Sequence, residues 1–225
     1  MKKNIILSDA GGILFSDTEK KHQEFDEVKK LCPELSFDVF YTGFRKYMDL
    51  AQTEKGYSRS DAFNEYFNVL RKQHDSLRNS EIPQFKNNKK KLQLNENVKE
   101  TLEYLKNNEM KYIVMTDATK TSEKLLPIIN QKMGLDGLIY DLISSKDVGA
   151  KKPSKEFFDY VLNKHNITKE QSYFLGHDFD ELNGAYKIQI EPLALFFDKT
   201  IDLSFVKPQN FLYNFSDLKN LIKNN

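Results

Sequence analysis

The stretch SDAGGIL, residues 8–14, directly follows a short apolar run at residues 5–7 and places one acid, Asp9, before Gly11 and Gly12. On these seven residues alone, the simpler interpretation is a strand that ends in a tight turn. In such a turn the acid hydrogen-bonds the backbone and the glycines supply a positive φ. The rest of the chain decides whether Asp9 has a chemical role as well.

Length and charge limit the classes of protein that fit. A chain of 225 residues suits one large domain, or a core with a smaller insertion. Its 34 Lys and Arg balance 33 Asp and Glu, so the net charge of +1 favours neither nucleic acid nor an anionic membrane. The basic run at residues 89–91 is interpreted as a solvated linker. The N-terminal apolar run is too short for a signal peptide or a membrane span, so we expect a cytoplasmic protein.

The single cysteine, Cys32, excludes an internal disulfide. No Cys or His stands near it in the sequence at the spacing of a metal site. We therefore predict that Cys32 is a small apolar side chain and that it takes part in neither zinc binding nor redox chemistry.

Hydrophobic periodicity divides the chain into two parts. Apolar and aromatic side chains recur every three or four positions in the segment from residue 16 to about 91, which predicts a wholly helical insert. Its last part, residues 79–91, is polar and basic and contains Pro83, which predicts a return linker. From residue 92 onward, short apolar runs at 112–115, 138–143, 173–175 and 193–197 alternate with amphipathic helices. This alternation predicts an α/β fold with a doubly wound parallel sheet. The predicted core comprises residues 1–15 and 92–225, and residues 16–91 form an inserted helical domain.

Chemically useful side chains follow the predicted strands, where the ligands of such sheets bind. The first strand ends on Asp9, and the strand at 112–115 is followed by Thr116 and Asp117. An acid-rich segment, residues 176–181, follows the strand at 173–175, and Lys152 precedes a proline before the next predicted helix. We expect these groups to meet at one edge of the sheet, because four such coincidences are improbable as ordinary turns.

Together these motifs resemble the haloacid dehalogenase superfamily of hydrolases, which are mostly phosphatases. The resemblance covers the whole chain: Asp-x-x-Gly after the first strand, Thr116 after the second core strand, Lys152-Pro153 before a helix, and a glycine followed by acids in the last motif. It implies a Rossmann-like core, and the insert at 16–91 lies where that superfamily carries an all-helical (C1-type) cap.

The resemblance also implies roles for individual residues. Asp9 would be the nucleophile, whose ester with phosphorus or carbon is later hydrolysed. Thr116 and Lys152 would hold the transferring group and offset its charge. The sites thus implied are, for the substrate or phosphate, Ala10, Gly11, Thr116, Asp117 and Lys152, and, for Mg²⁺, Asp9, the Gly11 carbonyl, Asp178 and Glu181.

Two positions depart from the family pattern. Phosphatases of this superfamily usually carry an acid/base aspartate two residues after the nucleophile, where this chain has Gly11, and losing a general acid typically costs about two to four orders of magnitude in rate. His177 stands where the first acid of the last motif is usual, and a hard cation prefers oxygen to imidazole. The metal-ligand prediction therefore moves to Asp178.

Three functions remain open for the sequence. The first is a magnesium-dependent phosphatase for a small phosphorylated metabolite, which uses another acid or a leaving group that needs little protonation. The second is a carbon-directed enzyme, either a 2-haloacid dehalogenase or a phosphonate-cleaving hydrolase with Lys46 as a candidate Schiff-base lysine. The third is a binding module with degraded catalysis. The sequence favours the phosphatase, with a small-molecule substrate, no nucleic-acid or membrane partner, and a monomeric or homodimeric state.

Overall fold

A computed structural model describes residues 3–17, 22–84 and 92–223. Six strands form one parallel sheet in the order β5-β4-β1-β6-β7-β8, and β2 pairs with β3 in a separate antiparallel ribbon. In chain order the strands are β1 (Ile5–Asp9), β2 (Phe15–Asp17), β3 (Leu92–Leu94), β4 (Lys111–Thr116), β5 (Asp141–Ser144), β6 (Ser172–Gly176), β7 (Glu191–Leu195) and β8 (Phe211–Leu212). The predicted doubly wound sheet is confirmed.

Helices cover both faces of this sheet, because its strands bury side chains on each side. One buried cluster joins the strands to α4 (Val98–Asn107) and α5 (Ser122–Met133). The opposite cluster joins them to α7 (Lys155–His165) and α8 (Phe179–Lys187). The short helix α6 (Ser145–Val148) follows β5 directly. The short helix α9 (Asn220–Lys223) ends the described chain.

The insert is built from three helices, α1 (Gln23–Leu31), α2 (Phe37–Thr53) and α3 (Arg59–Gln73). They enclose an aromatic core of their own, which includes Phe40, Phe44, Phe63 and Phe67. As the three-to-four spacing predicts, these side chains pack inward, because residues at that spacing share one face of a helix.

The prediction that the insert is wholly helical is wrong at its N-terminal end. Residues 15–17 form β2, which pairs with β3, so a short ribbon carries the chain out of the core and back. After α3 the chain makes a single 3₁₀ turn at Asp75–Leu77 and has no further helix up to residue 84. The basic run at 89–91 and most of the predicted return linker lie outside the described residues.

Strand positions in the core follow the prediction with shifts of a few residues. The largest shift is at β5, which begins at Asp141 rather than at residue 138. The short strand β8 was not predicted, since two residues are too few to show an alternating pattern. In the described part of the chain, no helix combines the length and the apolar character needed to span a bilayer.

Candidate active site

Asp9 is the last residue of β1 and lies at the carboxyl edge of the sheet, with only 8% of its surface exposed. A buried hydrogen-bond chain supports the strand end. Tyr112 Oη donates to Ser8 Oγ over 2.6 Å, and Ser8 Oγ donates to the backbone carbonyl of Asp9 over 2.7 Å. Because buried polar groups are costly unless they are paired, this chain fixes the backbone that carries the carboxylate.

Lys152 provides the positive charge at this edge. Its ammonium hydrogen-bonds Asp9 Oδ1 and lies 2.9 Å from Glu181 Oε1, while its side chain is only 2% exposed. Burial by itself lowers the pKa of Lys152, but the Asp9 and Glu181 carboxylates outweigh this effect and raise it above the ordinary value. The lysine therefore stays charged and holds Asp9 in place.

Close packing between α8 and the segment after Lys152 brings Glu181 to the lysine. A Cβ on Gly184 would lie 2.4 Å from Pro153 Cβ, so only glycine permits this approach of the helix. Glu181 lies one turn earlier on α8, and burial raises the pKa of its carboxyl group although Lys152 opposes the shift. Its Oε2 atom is buried and has no hydrogen-bond partner among the described residues.

His177 lies on the other side of Asp9. Its Nδ1 is 3.8 Å from Asp9 Oδ2, and its Nε2 is 3.6 Å from Asp178 Oδ2. The imidazole packs against the turn after β1, where a Cβ on Gly12 would lie 3.0 Å from His177 Cε1. Gly12 also has a φ of 77°, which disfavours a side chain. The second glycine of SDAGGIL is thus required by the turn and by the imidazole.

Gly11, in contrast, faces open space. A Cβ built on it meets no atom within 4 Å, and its φ is not positive. Residue 11 is the position at which phosphatases of the superfamily that the sequence resembles usually carry the acid/base aspartate. A side chain would fit at this position, but the chain has a glycine there. Ala10 beside it is buried, and its carbonyl accepts a hydrogen bond from Leu14 N over 2.9 Å.

Thr116 is the last residue of β4, the strand that pairs with β1, and Asp117 follows it. Asp9 stands opposite Met115 in the register, so Thr116 ends the neighbouring strand at the same edge. Asp117 Oδ1 accepts a hydrogen bond from the backbone N of Lys152 over 3.1 Å, and burial raises the pKa of its carboxyl group. Asp117 therefore positions Lys152, which the sequence analysis did not foresee.

The side chains of the predicted magnesium ligands do not converge with Asp9 on a single point. The side chain of Asp178 is 63% exposed and faces His177, whereas Glu181 binds the ammonium of Lys152. In the described chain, His, Cys, Asp and Glu side chains converge in groups of three at one place only, and that place is not this edge. Magnesium requires near-octahedral oxygen coordination, so Asp178 and Glu181 would have to turn towards Asp9 to bind it.

Polar contacts attach the insert to the core, and they lie at the C-terminal end of α2 and in the loop after it. Lys146 is buried and donates to three backbone carbonyls of the insert: Ala51 at 2.9 Å, Tyr57 at 2.6 Å, and Glu54. Beside it, Ser145 Oγ donates to the carbonyl of Gln52 over 2.8 Å. A cation at a helix C-terminus is favourable, because the last carbonyls carry partial negative charge.

A second contact between the insert and the core involves Lys151, the residue before Lys152. Its ammonium pairs with Asp49 of α2 over 2.6 Å. Lys151 therefore binds the insert while its neighbour Lys152 binds Asp9. Lys46, the candidate Schiff-base lysine, is exposed.

Comparison of the sequence with models of protein families identifies its family. The profile described as haloacid dehalogenase-like hydrolase matches residues 38–195, well over half of the 225-residue chain. The chain belongs to the haloacid dehalogenase-like hydrolases. This haloacid dehalogenase-like hydrolase is also 34% identical over 97 residues to an uncharacterized hydrolase of Schizosaccharomyces pombe. That match covers 39% of this chain and 42% of the relative, so it spans less than half of either protein.

Solved structures share the fold along nearly the whole length of this haloacid dehalogenase-like hydrolase. A predicted phosphoglycolate phosphatase of Haemophilus somnus 129PT has a TM-score of 0.64 at 20% identity, covering 98% of both chains. An L-2-haloacid dehalogenase of Xanthobacter autotrophicus, with chloropropionic acid covalently bound, has a TM-score of 0.61 at 13% identity, again covering 98% of both. At these identities the likeness concerns the fold alone.

Proposed function

We propose that this hydrolase uses Asp9 as a nucleophile on substrates whose leaving group departs without being protonated, and that a 2-haloacid is the substrate class that fits best. The observation that carries the proposal is the buried Asp9–Lys152 pair beside a Gly11 that offers no acid. A halide leaves with its electron pair and needs no proton, so the missing acid costs nothing in that reaction.

In the first proposed step, an oxygen of the Asp9 carboxylate attacks the carbon that bears the halogen. The carbon–halogen bond breaks, halide leaves, and an ester joins Asp9 to the substrate. In the second step water adds to the carbonyl carbon of that ester, which returns Asp9 and releases a 2-hydroxy acid and a proton. Lys152 offsets the charge on Asp9 between turnovers and on the ester oxygen during hydrolysis.

Two unpartnered acceptors close to Asp9 suit the second step. His177 Nδ1 lies 3.8 Å from Asp9 Oδ2 and makes no hydrogen bond within the described structure. Glu181 Oε2 is equally unpartnered, and Glu181 shares Lys152 with Asp9. In the proposed second step, one of these two groups accepts the proton of the attacking water.

The magnesium-dependent phosphatase remains a second candidate. It is favoured by the buried, unpartnered Glu181 Oε2 and by three acids, Asp9, Asp117 and Glu181, grouped around one lysine. Such a cluster attracts a cation, although Asp178 and Glu181 would first have to turn towards Asp9. The proposed halide-releasing reaction does not use magnesium.

One set of assays separates these functions. Halide release from both enantiomers of 2-chloropropionate is measured with EDTA present, and hydrolysis of an aryl phosphate is measured with and without Mg²⁺. The proposal expects metal-independent halide release that Asp9→Asn abolishes, and a substrate adduct on the Asp9 peptide by mass spectrometry. Mg²⁺-stimulated phosphate hydrolysis without halide release would establish the second candidate instead. No activity in any of these assays would leave the third function, a binding module with degraded catalysis.

A further inference from the structure

We propose that Cys32, Glu34 and His74 form a zinc-binding site in the helical insert, remote from Asp9. One sulfur, one carboxylate oxygen and one imidazole nitrogen from these residues lie within 4.8 Å of one another. No other group of three potential ligands of this kind converges within the part of the chain that the structure describes. The sequence analysis found no such ligand near Cys32, because His74 reaches it through the fold rather than along the sequence.

The backbone fixes where the three residues stand. Cys32 caps the C-terminus of α1, with its N–H donating to the carbonyl of Val28, and Glu34 lies in the loop that follows. His74 caps the C-terminus of α3, with its N–H donating to the carbonyl of Leu70. The site therefore joins the end of the first helix of the insert to the end of the third.

The side-chain geometry is close to that of a bound ion. Glu34 Oε1 lies 3.8 Å from His74 Nδ1. Two ligands at zinc bond lengths of about 2.0–2.2 Å in a tetrahedron are roughly 3.4 Å apart, so a small side-chain movement brings this pair to the required distance. Ser76 Oγ donates to Glu34 Oε1 over 3.0 Å, the kind of outer hydrogen bond that orients a metal-binding carboxylate.

The chemistry of the donors selects the ion. Thiolate and imidazole favour zinc over magnesium or calcium, and the two negative charges of Cys32 and Glu34 neutralise a divalent ion. Burial raises the pKa of the Cys32 thiol, so binding breaks the S–H bond, forms the S–Zn bond and releases a proton to solvent. Glu34 is 58% exposed and His74 22%, so the ion has a path from solvent, where water supplies a fourth ligand.

The test exploits the single cysteine of the chain. The purified full-length protein, freed of metal, is titrated with Co²⁺, whose thiolate charge-transfer absorption can arise only at Cys32. We expect one Co²⁺ per chain with this absorption and its loss when Zn²⁺ is added. The absorption should be lost in Cys32→Ser, and His74→Gln and Glu34→Gln should weaken binding by at least tenfold, since changes outside the ligand shell already cost about 10–100-fold.

His22→Gln is the matched control, because His22 is also partly buried in the insert but contacts Tyr41 instead. This variant should keep both the absorption and a zinc-dependent rise in melting temperature that His74→Gln loses. His74→Gln and Glu34→Gln change partly exposed side chains, so the test does not depend on whether Cys32→Ser folds. The proposal is overturned if no thiolate absorption appears, or if His74→Gln binds Co²⁺ as tightly as the wild type.

Discussion

The ammonium of Lys152 hydrogen-bonds the carboxylate of Asp9, although 143 positions separate the two residues in the sequence. Both side chains are nearly buried, so neither charge is tolerated without the other. In the proposed reaction, the same contact supplies the nucleophile and the charge that stabilises it. Its removal is therefore expected to affect both stability and catalysis.

Lys152→Met should lower the free energy of unfolding by about 3–5 kcal/mol, because it leaves Asp9 and Glu181 buried without a cation. Lys151→Met is the adjacent control. Its partner Asp49 is 45% exposed, and such exposed pairs contribute about 0–1 kcal/mol. Urea unfolding of both variants measures the difference, and equal losses would contradict the assignment of Lys152 as the buried partner.

Gly11→Asp should fold normally, because a side chain at this position meets open space. If the absent acid is the only defect for phosphate esters, the variant should also hydrolyse alkyl phosphates more than about tenfold faster than the wild type. Initial rates with Mg²⁺ present measure this. An unchanged rate would show that the pocket lacks more than a proton donor.

Gly12→Ala is the contrasting variant in the same turn. Its φ of 77° and the 3.0 Å approach to His177 Cε1 both oppose a side chain, so we expect a loss of about 1–3 kcal/mol. The thermal unfolding of Gly12→Ala is measured and compared with that of Gly11→Asp. A Gly12→Ala protein as stable as Gly11→Asp would contradict the described packing of the imidazole.

Lys146→Met should loosen the insert from the core. It removes a buried ammonium that donates to three carbonyls in the last turn of α2 and the loop after it, and hydrogen bonds to charged groups contribute about 1.5–3 kcal/mol each. Hydrogen exchange should rise at the amides of residues 51–57, with a loss of at least about 2 kcal/mol in unfolding free energy. Lys55→Met, an exposed change nearby, should leave exchange as it is. Equal exchange in the two variants would argue against this tie.

His165 should make stability depend on pH. Burial lowers its pKa below the ordinary value of 6.5, although Asp141 opposes the shift. The unfolded chain then binds more protons than the folded one as pH falls from above 6.5 towards the lowered pKa, so stability decreases in that window. Denaturant midpoints for the wild type and His165→Gln test this, and the variant should show a flatter profile there. Identical profiles would contradict it.

Local pattern was sufficient for much of this fold. Apolar spacing revealed the helical insert and the alternating core, because period and length are properties of short segments. It missed the β2–β3 ribbon and β8, whose two or three residues are too short to show a period. The strand-end rule likewise singled out Asp9 and Thr116, since parallel strands bring their ends to one edge.

What the sequence by itself determined is the order of the motifs and the kinds of side chain at the strand ends, including the absence of an acid at Gly11. Only the tertiary structure decided that Glu181 pairs with Lys152, that His177 lies beside Asp9, and that His74 lies near Cys32. The physical reason is that such contacts depend on how helices pack, as with Gly184 against Pro153, and packing distances are not written in the spacing of residues along a chain.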